Sequence, residues 1–121
     1  MEKLRVVVYE PGKAPEIREI ENTLECLREI VKGHIENVRI AHDLNLICNE
    51  EGKLINLQPN IFMNGDIIAG PCIIAADDRV NEDYGSLTDR QINRVITAIA
   101  SQNSDDDYLM YCAKRTYYKD K

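Results

Sequence analysis

The stretch LRVVVYEPGKAPEIREIENTLECLREIVKG, Leu4 to Gly33, holds a strand, a turn, a second strand and a capped helix in direct succession. Val6, Val7 and Val8 are β-branched and supply apolar side chains to both faces of a sheet, so Leu4 to Tyr9 is predicted as a buried, central strand. In Glu10-Pro11-Gly12-Lys13 the proline fixes φ at the second position and the glycine accepts positive φ at the third, as a type II turn requires. The chain then folds back, and Glu16 to Ile20 is expected as the returning strand. Asn22 to Glu25 reads as a capping box with Asn22 as the cap. Leu24, Leu27, Ile30 and Val31 recur at helical spacing, and Gly33 is placed to end the helix.

Beyond this unit, Ile35 to Ala41 and Leu44 to Cys48 read as a pair of strands, and Asn49 to Lys53 as a hairpin loop whose Gly52 takes the left-handed position before a strand from Leu54 to Leu57. Gln58-Pro59-Asn60 reads as a breaker and Asn64-Gly65 as a turn. Asp66 to Ala76 is apolar and β-branched, and is expected as one bent strand interrupted by Gly70-Pro71. After a polar connection from Asp77 to Gly85, Thr88 to Gln91 forms a second capping box with Leu87 and Ile92 as a hydrophobic staple. Ile92, Val95, Ile96, Ile99 and Ala100 make the buried stripe of that helix. The tail from Ser104 begins with aspartates and ends with Lys114 and Arg115, the polarity a helix dipole favours, which points to a third helix; an apolar edge strand over Tyr108 to Ala113 is the alternative. The expected fold is α+β, a mostly antiparallel sheet with two to three helices packed on it.

At 121 residues and 44% hydrophobic content the chain suits a single domain, residues 1–121, with one core. Its apolar runs are far shorter than the roughly 20 residues of a membrane span. Its start lacks the apolar run of about 7 to 15 residues of a secretory signal. Cys26, Cys48, Cys72 and Cys112 are widely spaced with no CxxC pair, which fits reduced thiols in the cytoplasm. The net charge of −6 argues against duplex DNA and anionic lipid as partners, and 15 basic residues interspersed among 21 acidic ones argue against mimicry of the DNA backbone.

The succession EPGKAPEIREIENTLECLREIVKGHIE, LNLICNEEGKLINL, QPN and GDIIAG resembles the family catalogued as domain of unknown function 3846, over roughly residues 4 to 76. The resemblance implies an accessory protein of bacterial, often Firmicutes, plasmids, phages or integrative elements, and carries no catalytic residues with it. Members end soon after a helix like the one starting at Thr88, so the residues from 104 to 121 read as a C-terminal extension.

The candidate residues divide by chemistry. Lys13 beside Pro11-Gly12 could meet a phosphate, but a nucleotide cradle needs a longer glycine-rich loop at a helix N-terminus. His34, His42 and Cys48 match no compact zinc spacing. Asp77, Asp78, Asn81, Glu82 and Asp83 fail the register of a calcium loop. No metal or cofactor is expected, and nothing marks a nucleophile with its base. The expected function is binding, of a host protein or a small ligand, by a monomer or homodimer; a small hydrolase using His34 or His42 is the remote alternative. For a nucleotide-like ligand the expected contacts are Glu10, Lys13, Asn49, Asn60 and Asp66, supplied by loops converging on one pocket. For a protein partner they are Tyr108, Tyr111, Arg115 and Tyr117, where tyrosines and basic residues interleave.

Overall fold

The computed structural model describes residues 3–103. Its order is β1 (Lys3–Tyr9), β2 (Glu16–Glu21), α1 (Leu24–Val31), β3 (Ile35–Ala41), β4 (Leu44–Asn49), β5 (Pro59–Met63), β6 (Asp66–Ala69), β7 (Cys72–Asp78), β8 (Asp83–Gly85) and α2 (Asp89–Gln102). The large sheet runs β2-β1-β7-β4-β3 with β8 on the far part of β7, and every pairing is antiparallel. β5 and β6 form a separate two-stranded sheet. This is the expected α+β architecture. The predicted third helix or strand after Ser104 lies outside the described residues.

Three layers result from strand alternation. Val7, Tyr9, Leu46, Ile74 and their neighbours face α2 and the β5–β6 hairpin, where Ile61, Met63, Val95 and Ile99 complete one core. Val6, Val8, Ile47, Ile73 and Ala75 face the other way, onto Leu27 and Val31 of α1. Gly12 takes φ 75 and the Lys13 N–H donates to the Glu10 carbonyl at 3.1 Å, so the first turn forms as its proline and glycine require. The capping box of α2 also forms, with Thr88 and Gln91 each accepting the other's backbone N–H. Ile92, Val95 and Ile99 are buried as expected, whereas Ile96 is half-buried and Ala100 exposed.

Five local expectations need correction. The cap of α1 is Thr23, whose hydroxyl accepts the Cys26 N–H at 3.1 Å, while the Asn22 amide reaches across to Asp83 at 3.0 Å. Residues 54–57 form no strand: Ile55 N–H donates to the Glu51 carbonyl and Leu57 N–H to that of Gly52, winding the segment into successive turns with Leu54 82% exposed. Gly52 is not left-handed; Asn56 is, at φ 59, and Gly52 is small because a Cβ there would stand 2.6 Å from the Ala69 carbonyl oxygen. Pro59 opens β5 instead of breaking the chain, as proline can at the first residue of a strand. Residues 66–76 are two strands in two sheets, divided at Gly70, whose φ of 85 turns the chain from β6 into β7.

The end of α1 depends on a distant side chain. Lys32 is its left-handed cap at φ 67, and the Asn49 amide donates to the carbonyls of Val31 and Lys32 at 3.1 and 3.2 Å. Gly33 permits that approach, since a Cβ there would lie 2.7 Å from the Asn49 amide nitrogen. Gly33→Ala is expected to cost about 1–2 kcal/mol by displacing Asn49 from two helix-terminal carbonyls. In urea melts, Asn49→Ala should remove most of the additional effect of Gly33→Ala in the double variant, because both act through one contact.

Candidate functional site

Antiparallel registers bring several loops to one end of the large sheet. Tyr9 pairs with Cys72 and Ile47 with Ile73, so β1 and β4 end where β7 begins. The 10–13 turn, the 50–58 loop and the junction of β6 with β7 therefore share this end. Asn60, buried on β5, ties them together: its amide donates to the Tyr9 carbonyl at 2.8 Å and to the Gly70 carbonyl at 2.9 Å.

A cleft of about 300 Å³ opens here between the first turn, β5 and the C-terminal half of α2, at the lower end of the size range for small-molecule sites. Pro15, Ile61, Ile96 and Ala100 give it apolar walls, with Tyr9 and Lys13 supplying polar groups. Ile96 and Ala100, one helical turn apart, form the edge of the α2 stripe; both line the cleft, and Ile96 also packs against the core. Asn103 fastens α2 to β5: it accepts the Phe62 N–H at 2.8 Å and donates to the carbonyls of Phe62 and Ile99 at 3.0 and 2.7 Å. The walls are thus held from both sides before any ligand arrives.

Tyr9 is the unusual member. It is 4% exposed, and among the described residues its hydroxyl has no hydrogen-bond partner. Burial, reinforced by the neighbouring Cys72 thiol, pushes its pKa up to about 12. The hydroxyl therefore stays protonated, a neutral donor in an apolar setting where an unmade hydrogen bond is costly. At the rim the Lys13 ammonium is 3.8 Å from Glu10, whose carboxylate is held more closely by Arg18 at 3.1 Å. Lys13 is thereby only loosely engaged.

The sequence-predicted contacts separate. Lys13 and Asn60 line this cleft, with Glu10 beside it in the turn. Asn49 and Asp66 line a second, smaller cleft of about 150 Å³ between the 50–54 segment and β6. Asp66 there is bridged to Lys53 at 2.6 Å, and the Cys48 thiol is pushed up to about 11 by burial and the Glu36 carboxylate. His34 and His42 are both exposed and line neither cleft; His42 is 3.7 Å from Asp43, which Gln91 and Arg94 already hold. Among the described residues no group of histidine, cysteine and carboxylate side chains is placed to hold a metal, and no helix is long and apolar enough to cross a membrane. Tyr108, Tyr111, Arg115 and Tyr117 lie outside the described residues. Sequence reading missed Tyr9, Ile96 and Asn103; the one available signal was a phenol at the end of an otherwise apolar strand.

The buried acids set an alkaline limit to stability. Folding raises the pKa of Tyr9 from 10.0 to about 12 and of Cys48 from 9.0 to about 11, and raises that of Cys72 as well, mainly by burial. Each group keeps its proton in the folded chain at a pH where the unfolded chain has released it. Their contribution is therefore intact below about pH 9 and falls as pH rises towards 12. Urea midpoints are expected to decline over that window, and to decline less in Tyr9→Phe and Cys48→Ala.

The family comparison covers most of this architecture. A family model described as a domain of unknown function, number 3846, matches residues 4–100, from β1 into the last turns of α2, and so includes both helices and every strand. No curated protein and no solved structure matches the chain. With its strands, both helices and nearly all of the Tyr9 cleft inside that match, the chain belongs to the family called Domain of unknown function (DUF3846).

Proposed function

We propose that this chain is a non-catalytic binding protein of the cytoplasm, an accessory factor of a bacterial mobile element, which holds a small ligand in the Tyr9 cleft. The mobile-element setting rests on the family resemblance. The observation that carries the ligand reading is a pre-formed apolar cleft with Tyr9 in its wall, whose buried hydroxyl has no hydrogen-bond partner among the described residues. A folded protein that leaves such a donor unmet loses stability, and a ligand acceptor placed against it recovers the loss. The class that fits is a mainly apolar small molecule with one hydrogen-bond acceptor for Tyr9 and one negative charge within reach of Lys13. A polyphosphate would need several backbone N–H donors, and the Lys13 N–H is already used inside its own turn.

The test is native mass spectrometry of protein purified from its host, with Tyr9→Phe and Ala100→Trp beside it. The wild type is expected to retain a small molecule that both variants lose. Tyr9→Phe should also melt higher, by about 1 kcal/mol, because it removes an unsatisfied polar atom from the core. An equal load on all three proteins would defeat the reading, and so would a protein partner retained in place of a small molecule.

A further inference from the structure

On the opposite side of the large sheet, α1 has only eight residues and covers only part of the face. Below it the sheet carries polar side chains: Asn37 on β3, Asn45 on β4, Asp77 on β7 and Tyr84 on β8, with Arg39 at the β3 edge. They line a groove of about 350 Å³. Asn45 is buried in a strand whose neighbours are aliphatic, a costly position for an amide unless it has work to do.

The placement of Tyr84 gives the groove its character. β8 pairs with β7 on the side away from β4 and β3, yet the Tyr84 hydroxyl donates to Asn37 Oδ1 on β3 at 3.0 Å. The side chain therefore crosses β7 and β4 and lies over the sheet. It packs on the apolar cluster that includes Ile47, Ile73 and Ala75, and what remains uncovered of it lines the groove. Asn37 passes the hydrogen bond on, donating to Asn45 Oδ1 at 3.3 Å. Beside this chain Asp77 meets Arg39 at 2.8 Å and Arg79 at 3.6 Å. Asp83 accepts the Tyr84 N–H at 2.7 Å and the Asn22 amide at 3.0 Å, which holds the root of the ring.

We propose that this groove is a second binding site, independent of the Tyr9 cleft, for an uncharged nucleobase or nucleoside. An aromatic ring fixed at both its root and its tip is a stacking platform, and the flat face of a base is the complement of such a platform. Amide, guanidinium and carboxylate groups stand around it, so donors and acceptors are both offered to the edge of a base, the mixed pattern those edges present. The charge decides against phosphate: Arg39 and Arg79 stand against Asp77, Glu82 and Asp83, an excess of one carboxylate. A nucleoside triphosphate is accordingly expected to bind more weakly than its nucleoside.

The experiment is an amide chemical-shift titration of the full chain with adenosine, guanosine, cytidine and uridine, each alone, then with the triphosphate of the best binder and with sucrose. The expected result is saturable shifts for at least one nucleoside, centred on Asn37, Arg39, Asn45, Asp77 and Tyr84. Tyr84→Leu keeps an apolar cover over the sheet while removing the ring, and should weaken binding by about tenfold or more with the far-ultraviolet spectrum unchanged. Tyr84→Phe keeps the platform and should stay within a few-fold of wild type. The proposal is overturned if no nucleoside shifts these amides up to its solubility limit, or if sucrose shifts them equally. Unchanged binding by Tyr84→Leu, or tighter binding of the triphosphate, would overturn it too. Shifts confined to the residues around Tyr9 would also overturn it, and would support the first site instead.

Discussion

Asn60→Ala is expected to lower the free energy of unfolding by about 3 kcal/mol, out of a total that for domains of this size is about 5–15 kcal/mol. Asn60 is 5% exposed, and one amide group serves carbonyls from two different places, Tyr9 at the end of β1 and Gly70 at the turn between the two sheets. Truncation leaves both carbonyls buried without that donor, at about 1–3 kcal/mol each, and opens a small cavity beside Cys72. Asn60→Asp is expected to be worse than alanine near neutral pH. It keeps the shape but sets an acceptor-only carboxylate against two carbonyl oxygens. Urea unfolding with an unchanged slope is the measurement. A loss below about 0.5 kcal/mol in Asn60→Ala would mean that the carbonyls find other donors, and that the two sheets are joined by apolar packing alone.

The same residue shows how far the sequence was legible. From the sequence Asn60 reads as a polar loop residue and a ligand contact. The structure places it on β5, buried and in the wall of the cleft, with its amide donating to the backbone. Asn49 reads in the same way, and its amide donates to the carbonyls that end α1. In both cases the residue type was informative and the partner was not, because the partner is set by a register between segments far apart in the chain. Elements defined by neighbours in sequence were legible: the type II turn of residues 10–13, the β1–β2 hairpin and the capping box of α2 depend on local chemistry alone. Residues 54–57 show alternation, but local hydrogen bonds from Ile55 to Glu51 and from Leu57 to Gly52 wind them into turns. Residues 66–76 read as one strand because composition is continuous across Gly70-Pro71, and only the pairing of β6 with β5 and of β7 with β1 and β4 divides them. Neither the burial of the Tyr9 hydroxyl nor the reach of Tyr84 across the sheet has any local signature.

Ile73→Ala and Ile74→Ala are each expected to cost about 3–4 kcal/mol, as truncations of a fully buried isoleucine do. Both residues are 0% exposed on β7, the strand that pairs with β1, β4 and β8, but successive strand residues point to opposite faces. Ile74 faces Val95 and Ile99 of α2, and Ile73 faces Leu27 and Val31 of α1. Two neighbours in sequence thus probe two separate cores. Amide exchange should accelerate chiefly in α2 for Ile74→Ala and chiefly in α1 for Ile73→Ala, beyond the common effect of global destabilisation. The milder pair Ile73→Val and Ile74→Val, at about 1 kcal/mol each, should add to within about 0.5 kcal/mol in the double variant. Strong coupling would mean that the sheet passes strain between its faces. The Tyr9 cleft and the Tyr84 groove lie on those two faces, so additivity here would mean that a substitution beside one leaves the other unaltered.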